Sequence, residues 1–463
     1  MDAPFEPACV IILEGALSYC ADFLRKKFPG AKIGVIRFCA DFADCDSKWD
    51  FALNGAPLGE RLFDALGEEG LFATLFYEWP PSARAWPQET KNAWNEIKAA
   101  TQKAATVLAT REHFGKRWLK NKIRFFERIQ SAAVLQKIKR PVVICASGPS
   151  LEDALGAIKK AREKIFLCAL SSSLGALARN KIAPDLCLSC DGGFWAKKHL
   201  DILRTKFAQS PLALATEAAL PAVLFKEKTI VPLCYDDDAL SKDFFAALDI
   251  PFVEARRNGT VSGTALELFL KMAEGPIFFC GLDLQSCKKA SHARPNALEI
   301  LSQEKDFRLA PKATRAARAS LTNQALDIYA DWFSNCPLSG KNVFRIKGSE
   351  PFKRSLGQIK DISAAQFESA VQAAENSNAP QNFLQGQNAA APRAENSAQD
   401  KKKRKETIRR VFDKWQNSEA FLTEQFPADS VMVRREKDAE AKKSRAAALQ
   451  KKRETLVKEI FKD

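Results

Sequence analysis

Val142-Val-Ile-Cys-Ala-Ser-Gly-Pro-Ser-Leu151 is the stretch whose reading decides the fold. Its first four residues are apolar and mostly β-branched, as in a short buried strand, and Ser147-Gly-Pro-Ser150 is a turn. From Leu151 the apolar residues recur at helical spacing, which predicts an amphipathic helix over 151–162. The rhythm then repeats. Ile165-Phe-Leu-Cys-Ala169 reads as a strand, 171–180 as a helix, and Leu186-Cys-Leu-Ser-Cys190 as a strand ending at Asp191. Further strands are expected at 212–216, 229–233 and 276–280, with a last helix over 317–333. Strands alternating with helices in this way predict a doubly wound α/β domain with a mostly parallel sheet.

Upstream, Cys9-Val-Ile-Ile-Leu13 and Lys32-Ile-Gly-Val-Ile36 flank a helical pattern over 16–28, with Leu17, Cys20 and Leu24 on one face. This βαβ unit implies parallel strands, a right-handed crossover and a Rossmann-like N-terminal domain. Residues 48–83 are punctuated by Gly and Pro and show no clear period. A mixed-charge helical pattern over 88–139 ends before Pro141, as helices tend to. Residues 374–403 are rich in Asn, Gln, Ala and Pro, with Phe383 and Leu384 their only large apolar side chains. Such a composition cannot offset its ordering entropy and predicts a disordered linker. The expected division is an α/β domain over 1–90, a helical connector over 91–140, a central α/β domain over 141–350, a helical extension over 351–373, the linker over 374–403 and a charged helical tail over 404–463.

The 463 residues carry 71 Lys+Arg against 56 Asp+Glu, a formal net charge of +15, and 46% are apolar. That excludes a wholly disordered chain, and no apolar run approaches the ~18–20 residues that span a bilayer. The start, with Asp2 and Glu6, lacks the basic region of a signal peptide, so a cytoplasmic protein with its twelve cysteines reduced is expected. Cys187 and Cys190 are the one tight pair, without a second of zinc-like spacing, so no metal is assigned. Residues 401–463 hold 19 Lys+Arg and 11 Asp+Glu, a net of +8. This tail reads either as a solvated helix or as a handle for an acidic partner. No nucleic-acid partner is expected.

Open parallel sheets bind ligands at the carboxyl ends of their strands, and four segments present small or polar groups there. In Ser147-Gly148-Pro149-Ser150, Gly148 admits close backbone approach and Ser150 can cap the helix, whose free amides suit a phosphate. The same residues also read as a plain turn and cap. Ser171-Ser172-Ser173 holds more hydroxyls than capping needs. Asp191-Gly192-Gly193 can meet a sugar hydroxyl or a metal, or be an ordinary Asp-Gly turn. The fourth segment, Asn258-Gly-Thr-Val-Ser-Gly-Thr264, enters an apolar helix and is followed by Gly281-Leu-Asp283 and His292. His292 lies in a polar loop near Lys288, Lys289 and Arg294, which suits catalysis or ligand binding, or a surface residue without a role.

These motifs, in this order, together with Ile182-Ala-Pro-Asp-Leu186, resemble the central domain of the motility-associated factor (Maf) glycosyltransferases. The same domain occurs in archaeal 6-hydroxymethylpterin pyrophosphokinase (MptE)-like proteins. Gly148-Pro-Ser-Leu151 and the Ser-Gly…Gly-x-Asp pair are also similar to bacterial lipooligosaccharide sialyltransferases, which use a CMP-activated sugar. The likeness covers about 141–335, and Thr110-Arg-Glu-His-Phe-Gly-Lys-Arg-Trp118 looks like the Maf connection between domains. There are departures. Glu14-Gly-Ala-Leu-Ser-Tyr19 keeps one glycine of the family's glycine-rich turn, so no nucleotide site is assigned there. Ser147 stands where the sialyltransferases have Asn, and their catalytic histidine lies further from Gly-x-Asp than His292 does.

The resemblance implies a sialyltransferase-shaped central domain that transfers a nonulosonic (sialic-acid-like) sugar from a CMP donor to Ser/Thr of flagellin, with no tightly bound cofactor. Ser147, Gly148, Pro149 and Ser150 would hold the donor phosphate, with Ser171, Ser172 and Asp191 facing the nucleotide or sugar. Thr260, Ser262 and Gly263 would line the opposite wall, and Asp283 at the floor would be catalytic together with His292. His292 would be the acid or base, with His199 in reserve. The alternatives are diphosphate transfer from ATP to a pterin alcohol, with Mg²⁺ at Asp191 or Asp283, and an inactive flagellar accessory protein docking through its tail.

Overall fold

The computed structural model describes residues 5–55, 57–285, 291–304, 306–309, 311, 324–374, 382–385 and 398–461. The chain divides into two compact units, Met1–Arg117 with Asp413–Asp463, and Trp118–Phe412.

The first unit opens with β1 (Cys9–Leu13), α1 (Cys20–Lys27), β2 (Lys32–Arg37), β3 (Phe51–Asn54), α2 (Leu58–Phe72), β4 (Thr74–Glu78), α3 (Pro80–Ala85) and the start of α4 (Pro87–Arg128). Its four strands are parallel in the order β3-β2-β1-β4. Strand alternation splits β1 between two cores. Cys9, Ile11 and Leu13 pack with Leu62, Ile97 and Ala104, while Val10 and Ile12 pack with Leu24 and Trp49. Residues 48–83 showed no period because α2 is two helical pieces joined at Gly67, where φ is 63°.

α1 starts at Cys20 rather than residue 16, since a tight turn takes the intervening residues. Glu14, Ala16 and Ser18 there have φ of 46°, 44° and 61°. Such backbone costs of order 1 kcal/mol or more per residue and persists only when its surroundings hold it. Buried Glu14 accepts from the amides of Ala16 (3.0 Å), Phe38 (2.8 Å) and Cys39 (3.2 Å) and pairs with Arg37 at 2.8 Å. Arg37 also donates to Ser18 Oγ at 2.9 Å, which accepts from Trp49 Nε1 at 2.8 Å. The chain's own carboxylate thus takes amides at the ends of β1 and β2.

α4 ends at Arg128, not near 139, and the chain continues through β5 (Val134–Leu135). The second unit then runs β6 (Val142–Cys145), α5 (Ser150–Ala161), β7 (Phe166–Leu170), α6 (Leu174–Arg179), β8 (Leu186–Ser189), α7 (Phe194–Leu200), β9 (Leu212–Ala215), α8 (Leu224–Glu227), β10 (Ile230–Tyr235), α9 (Ala239–Ala247), β11 (Val253–Ala255), α10 (Val261–Met272) and β12 (Ile277–Cys280). It continues with α11 (Ala297–Gln303), α12 (Gln324–Asn335), β13 (Val343–Ile346), β14 (Lys360–Ile362), α13 (Ala364–Ala373), β15 (Leu384–Gln385) and α14 (Ala398–Trp415). Of the helix expected over 317–333, residues 317–323 lie outside the described residues.

Nine parallel strands form one sheet in the order β11-β10-β9-β8-β7-β6-β12-β13-β14. The chain builds outward from β6 to β11, returns to lay β12 on the other side of β6, and builds outward again. That reversal makes the β6/β12 boundary the topological switch point, where such sheets open a crevice. The fold is therefore mixed α/β with a large parallel sheet and a helical C-terminal region.

Two segments differ from expectation. The 351–373 extension is not wholly helical, for β14 adds a ninth strand before α13, whose start carries a Ser363/Gln366 capping box. Within the stretch read as a linker, β15 pairs antiparallel with β5, and Phe383 packs edge-on to Phe166 at 5.0 Å between centroids. The two large apolar residues of that stretch are the ones that dock. Residues 375–381 and 386–397 lie outside the described residues. The tail ends in α15 (Glu419–Gln425), α16 (Pro427–Arg435) and α17 (Ala439–Ile460), which belong to the first unit. No described helix is long and apolar enough to cross a membrane.

Candidate functional site

At the switch point the turns after β6 and β12 touch. Gly148 N donates to Gly281 O at 2.8 Å, and a Cβ on Gly148 would stand 2.6 Å from the Asp283 carboxyl carbon. Gly281 has φ of 70° and lies so near Ala146 that a Cβ would come within 2.5 Å of its carbonyl oxygen. Only glycine satisfies both demands.

The phosphate seat expected at Gly148, Pro149 and Ser150 is already filled. Asp283 Oδ2 accepts from Ser150 N at 3.0 Å, and Ser150 Oγ donates to Asp283 Oδ1. An anion at a helix N-terminus is favourable, and here the chain supplies its own. Ser150 is the first helical residue, with Pro149 at the cap position, so its hydroxyl serves Asp283 rather than a backbone amide. Burial pushes the Asp283 carboxyl up, with the bonds from Ser150 and the charge of Arg345 opposing. Asp283 is accordingly a strut between two turns.

The His292 loop lies across the ends of β6 and β7. Ala293 N donates to Ser147 O at 2.7 Å, Arg294 N to Glu152 Oε1 at 2.8 Å, and Asn296 Nδ2 to Ser172 O at 3.1 Å. His292 is one-third exposed, with its backbone amide 3.1 Å and its Nδ1 4.0 Å from Glu299 Oε1. His199, on α7, is half-buried and pushed down to about 4 by burial and then by the nearby His292, with Asp191 pulling it back. Lys288 and Lys289 lie outside the described residues.

In the serine triplet Ser171 and Ser173 are buried, and Ser173 Oγ donates back to Leu170 O at 2.8 Å, which leaves Ser172 half-exposed. Asp191 is exposed, and its Oδ1 accepts from Gly193 N at 2.7 Å, a local turn. Thr260 Oγ1 caps α10 by accepting from Gly263 N at 2.8 Å. Gly263 is backed by the Asn258 side chain, 2.6 Å from where a Cβ would be, so it faces a residue rather than an open wall. Ser262 stays half-exposed beside it.

A cluster that the sequence reading missed joins these walls at the ends of β8 to β11. Asn121 Nδ2 donates to Glu217 O at 2.9 Å and to Gly192 O at 3.3 Å. Gly192 is pressed between Trp118 and Glu217, where a Cβ would meet Trp118 Cδ1 at 2.8 Å. Arg257 binds Glu217 and Asp237 and lies over the rings of Tyr235 (4.5 Å) and Trp118 (5.7 Å). The available signal was Glu217 and Arg257 each ending an apolar strand pattern, while Trp118 and Asn121 sat inside a helix read as a connector. Polar groups thus line the strand ends from β6 to β11, roughly 24 Å at ~4.8 Å per strand.

The family model for 6-hydroxymethylpterin diphosphokinase MptE-like proteins matches residues 116–289. An uncharacterised protein of Treponema pallidum (strain Nichols) is 35% identical over 281 residues, 60% of each chain, so this chain spans only about 60% of that relative's length. The structure of a Maf glycosyltransferase from Magnetospirillum magneticum AMB-1 superposes with a TM-score of 0.50 at 12% identity, covering 98% of this chain and 78% of that one, a likeness of fold. Residues 116–289 of this chain are therefore similar to the MptE-like family, on a fold like that of a Maf glycosyltransferase.

Proposed function

We propose that this protein is a glycosyltransferase that moves a nonulosonic sugar from a CMP donor to a Ser/Thr hydroxyl of flagellin. The observation that carries the reading is the His292 loop lying across the ends of β6 and β7, where Ala293 holds Ser147 and Asn296 holds Ser172, with Asp191 and His199 in the turn and helix that follow β8. Attack on the anomeric carbon requires the acceptor hydroxyl to lose its proton, or the departing phosphate to gain one. An imidazole can serve either need, and the Glu299 carboxylate lies beside that of His292, its Oε1 4.0 Å from Nδ1. His199, neutral at pH 7, is suited to accepting a hydrogen bond. With the α5 seat taken by Asp283, the donor phosphate falls to Ser172 and the turn around Ser262, and Asp283 acts by holding Ser147 to Ser150 in place.

The description of the matched family supports a second reading, diphosphate transfer from ATP to a pterin alcohol. Mg²⁺ for it would be held by Asp191, exposed and accepting from Gly193 on one oxygen, or by Asp283, which also accepts from Ser150, together with the substrate's own phosphates. No step through a metal is derived.

Calorimetric titration separates the readings. CMP binding without metal supports sugar transfer, and Mg²⁺-dependent ATP binding replaces it with the second reading. Binding of neither favours an accessory protein that docks a partner through its basic tail. Sugar transfer to flagellin from a CMP-nonulosonic acid is the decisive assay, and no transfer despite CMP binding would remove flagellin as acceptor.

A further inference from the structure

We propose that Arg257 is an anion-recognition residue of this site, taking a carboxylate or phosphate oxygen of the ligand on its Nη2 group. The inference rests on the reading above that the ligand is an anionic nucleotide-linked sugar.

The guanidinium is fixed from several sides. Nε donates to Asp237 Oδ2 at 3.3 Å and Nη1 to Glu217 Oε1, while the plane lies over Tyr235 and Trp118. Nη2 makes no hydrogen bond among the described residues, and the side chain is 32% exposed. A planar fork held in this way has little rotamer entropy left to lose on binding. Its neighbours place it in the site. Glu217 O and Gly192 O share the Asn121 amide, joining it to the Asp191 turn, and Asn258 to Ser262 follow Arg257 directly in the chain. A guanidinium used only to neutralise Glu217 would gain nothing from an unbonded Nη2.

Glu217 and Asp237 also offset the charge of Arg257. The gain is therefore that of one charge-assisted hydrogen bond, about tenfold in affinity. Arg257→Gln alone would leave Glu217 buried without its partner, so the Glu217→Gln/Arg257→Gln double variant and Arg257→Lys, which keeps the charge and loses the fork, accompany it.

The full chain and these variants are titrated with CMP, cytidine, inorganic pyrophosphate and N-acetylneuraminic acid, with thermal melts alongside. The expected result is an approximately tenfold weaker Kd for anions and an unchanged Kd for cytidine in the double variant and in Arg257→Lys. Loss confined to CMP and pyrophosphate assigns Nη2 to phosphate, and loss confined to N-acetylneuraminic acid assigns it to the carboxylate. Unchanged CMP, pyrophosphate and N-acetylneuraminic acid affinities, or equal loss for cytidine, overturn the Arg257 assignment and leave the transferase reading standing. Arg257-dependent binding of pyrophosphate without any CMP binding keeps the assignment and removes the CMP donor. A wild type that binds none of the four overturns both.

Discussion

A carboxylate at the end of a parallel strand can meet a ligand or can cap a neighbouring helix, and Asp283 does the second. Asp283→Ala should cost about 1–2 kcal/mol in urea denaturation, the worth of a cap, with Asp283→Asn retaining most of the stability. His199 makes a pH prediction. Its folded pKa, about 4, lies below the ordinary histidine value of about 6.5, so in that window the unfolded state binds more protons. Stability should therefore fall as pH drops from about 6.5 to 4, by about 1–2 kcal/mol after allowance for partial exposure, and His199→Gln should flatten the curve. His292→Ala should cut turnover ~10²–10⁴-fold and leave CMP affinity nearly unchanged. Full activity in that variant would end its assignment.

Among the elements, the most consequential junction is between α4 and the end of β10. Lys122 and Asp238, both almost fully buried, pair at 2.8 Å, and Asp238 also caps α9 through Ser241 N at 2.9 Å. Burial raises the Asp238 carboxyl, yet Lys122 and Ser241 outweigh it and hold the group below its ordinary value. Lys122→Met should destabilise by about 3–5 kcal/mol, because it leaves a buried carboxylate without its cation. Guanidinium melts of Lys122→Met and the Lys122→Met/Asp238→Asn pair measure this, and the pair should recover part of the loss. Gly192→Ala tests the Asp191 turn. Its Cβ would overlap Trp118 and the Glu217 carbonyl, so a loss of about 1–3 kcal/mol is expected.

At the scale of the whole molecule, the first unit is assembled from both ends of the chain. Glu6 N donates to Arg435 O at 2.9 Å, and Arg434 pairs with Glu419 at 2.7 Å and also with Glu69. Removing 413–463 should therefore destabilise the unit that contains β1 to β4 and leave the nine-stranded unit folded. In calorimetry the truncated chain should lose or lower one transition while another keeps its midpoint. A uniform drop in every transition would contradict this division.

Sequence alone determined the alternating architecture, because buried parallel strands such as Val142–Cys145 and Ile277–Cys280 must be short, apolar and followed by turns. Those turns also marked Ser147 to Ser150, Asp191, Asp283 and His292 as candidates, since strand ends are where a parallel sheet leaves polar backbone open. What it could not determine was which groups at those ends are free. That depends on strand order, and only the placement of β12 beside β6 brings Asp283 onto Ser150, across more than a hundred residues of chain. Arg257, Glu217, Trp118 and Asn121 were illegible for the same reason, being single residues from four elements with no shared spacing. The seam between Leu384 and Leu135, and the return of 413–463 to the first unit, likewise depend on long-range apolar and hydrogen-bonded contacts. Local composition encodes the tendency to form such contacts, but the partner is chosen only when the chain folds.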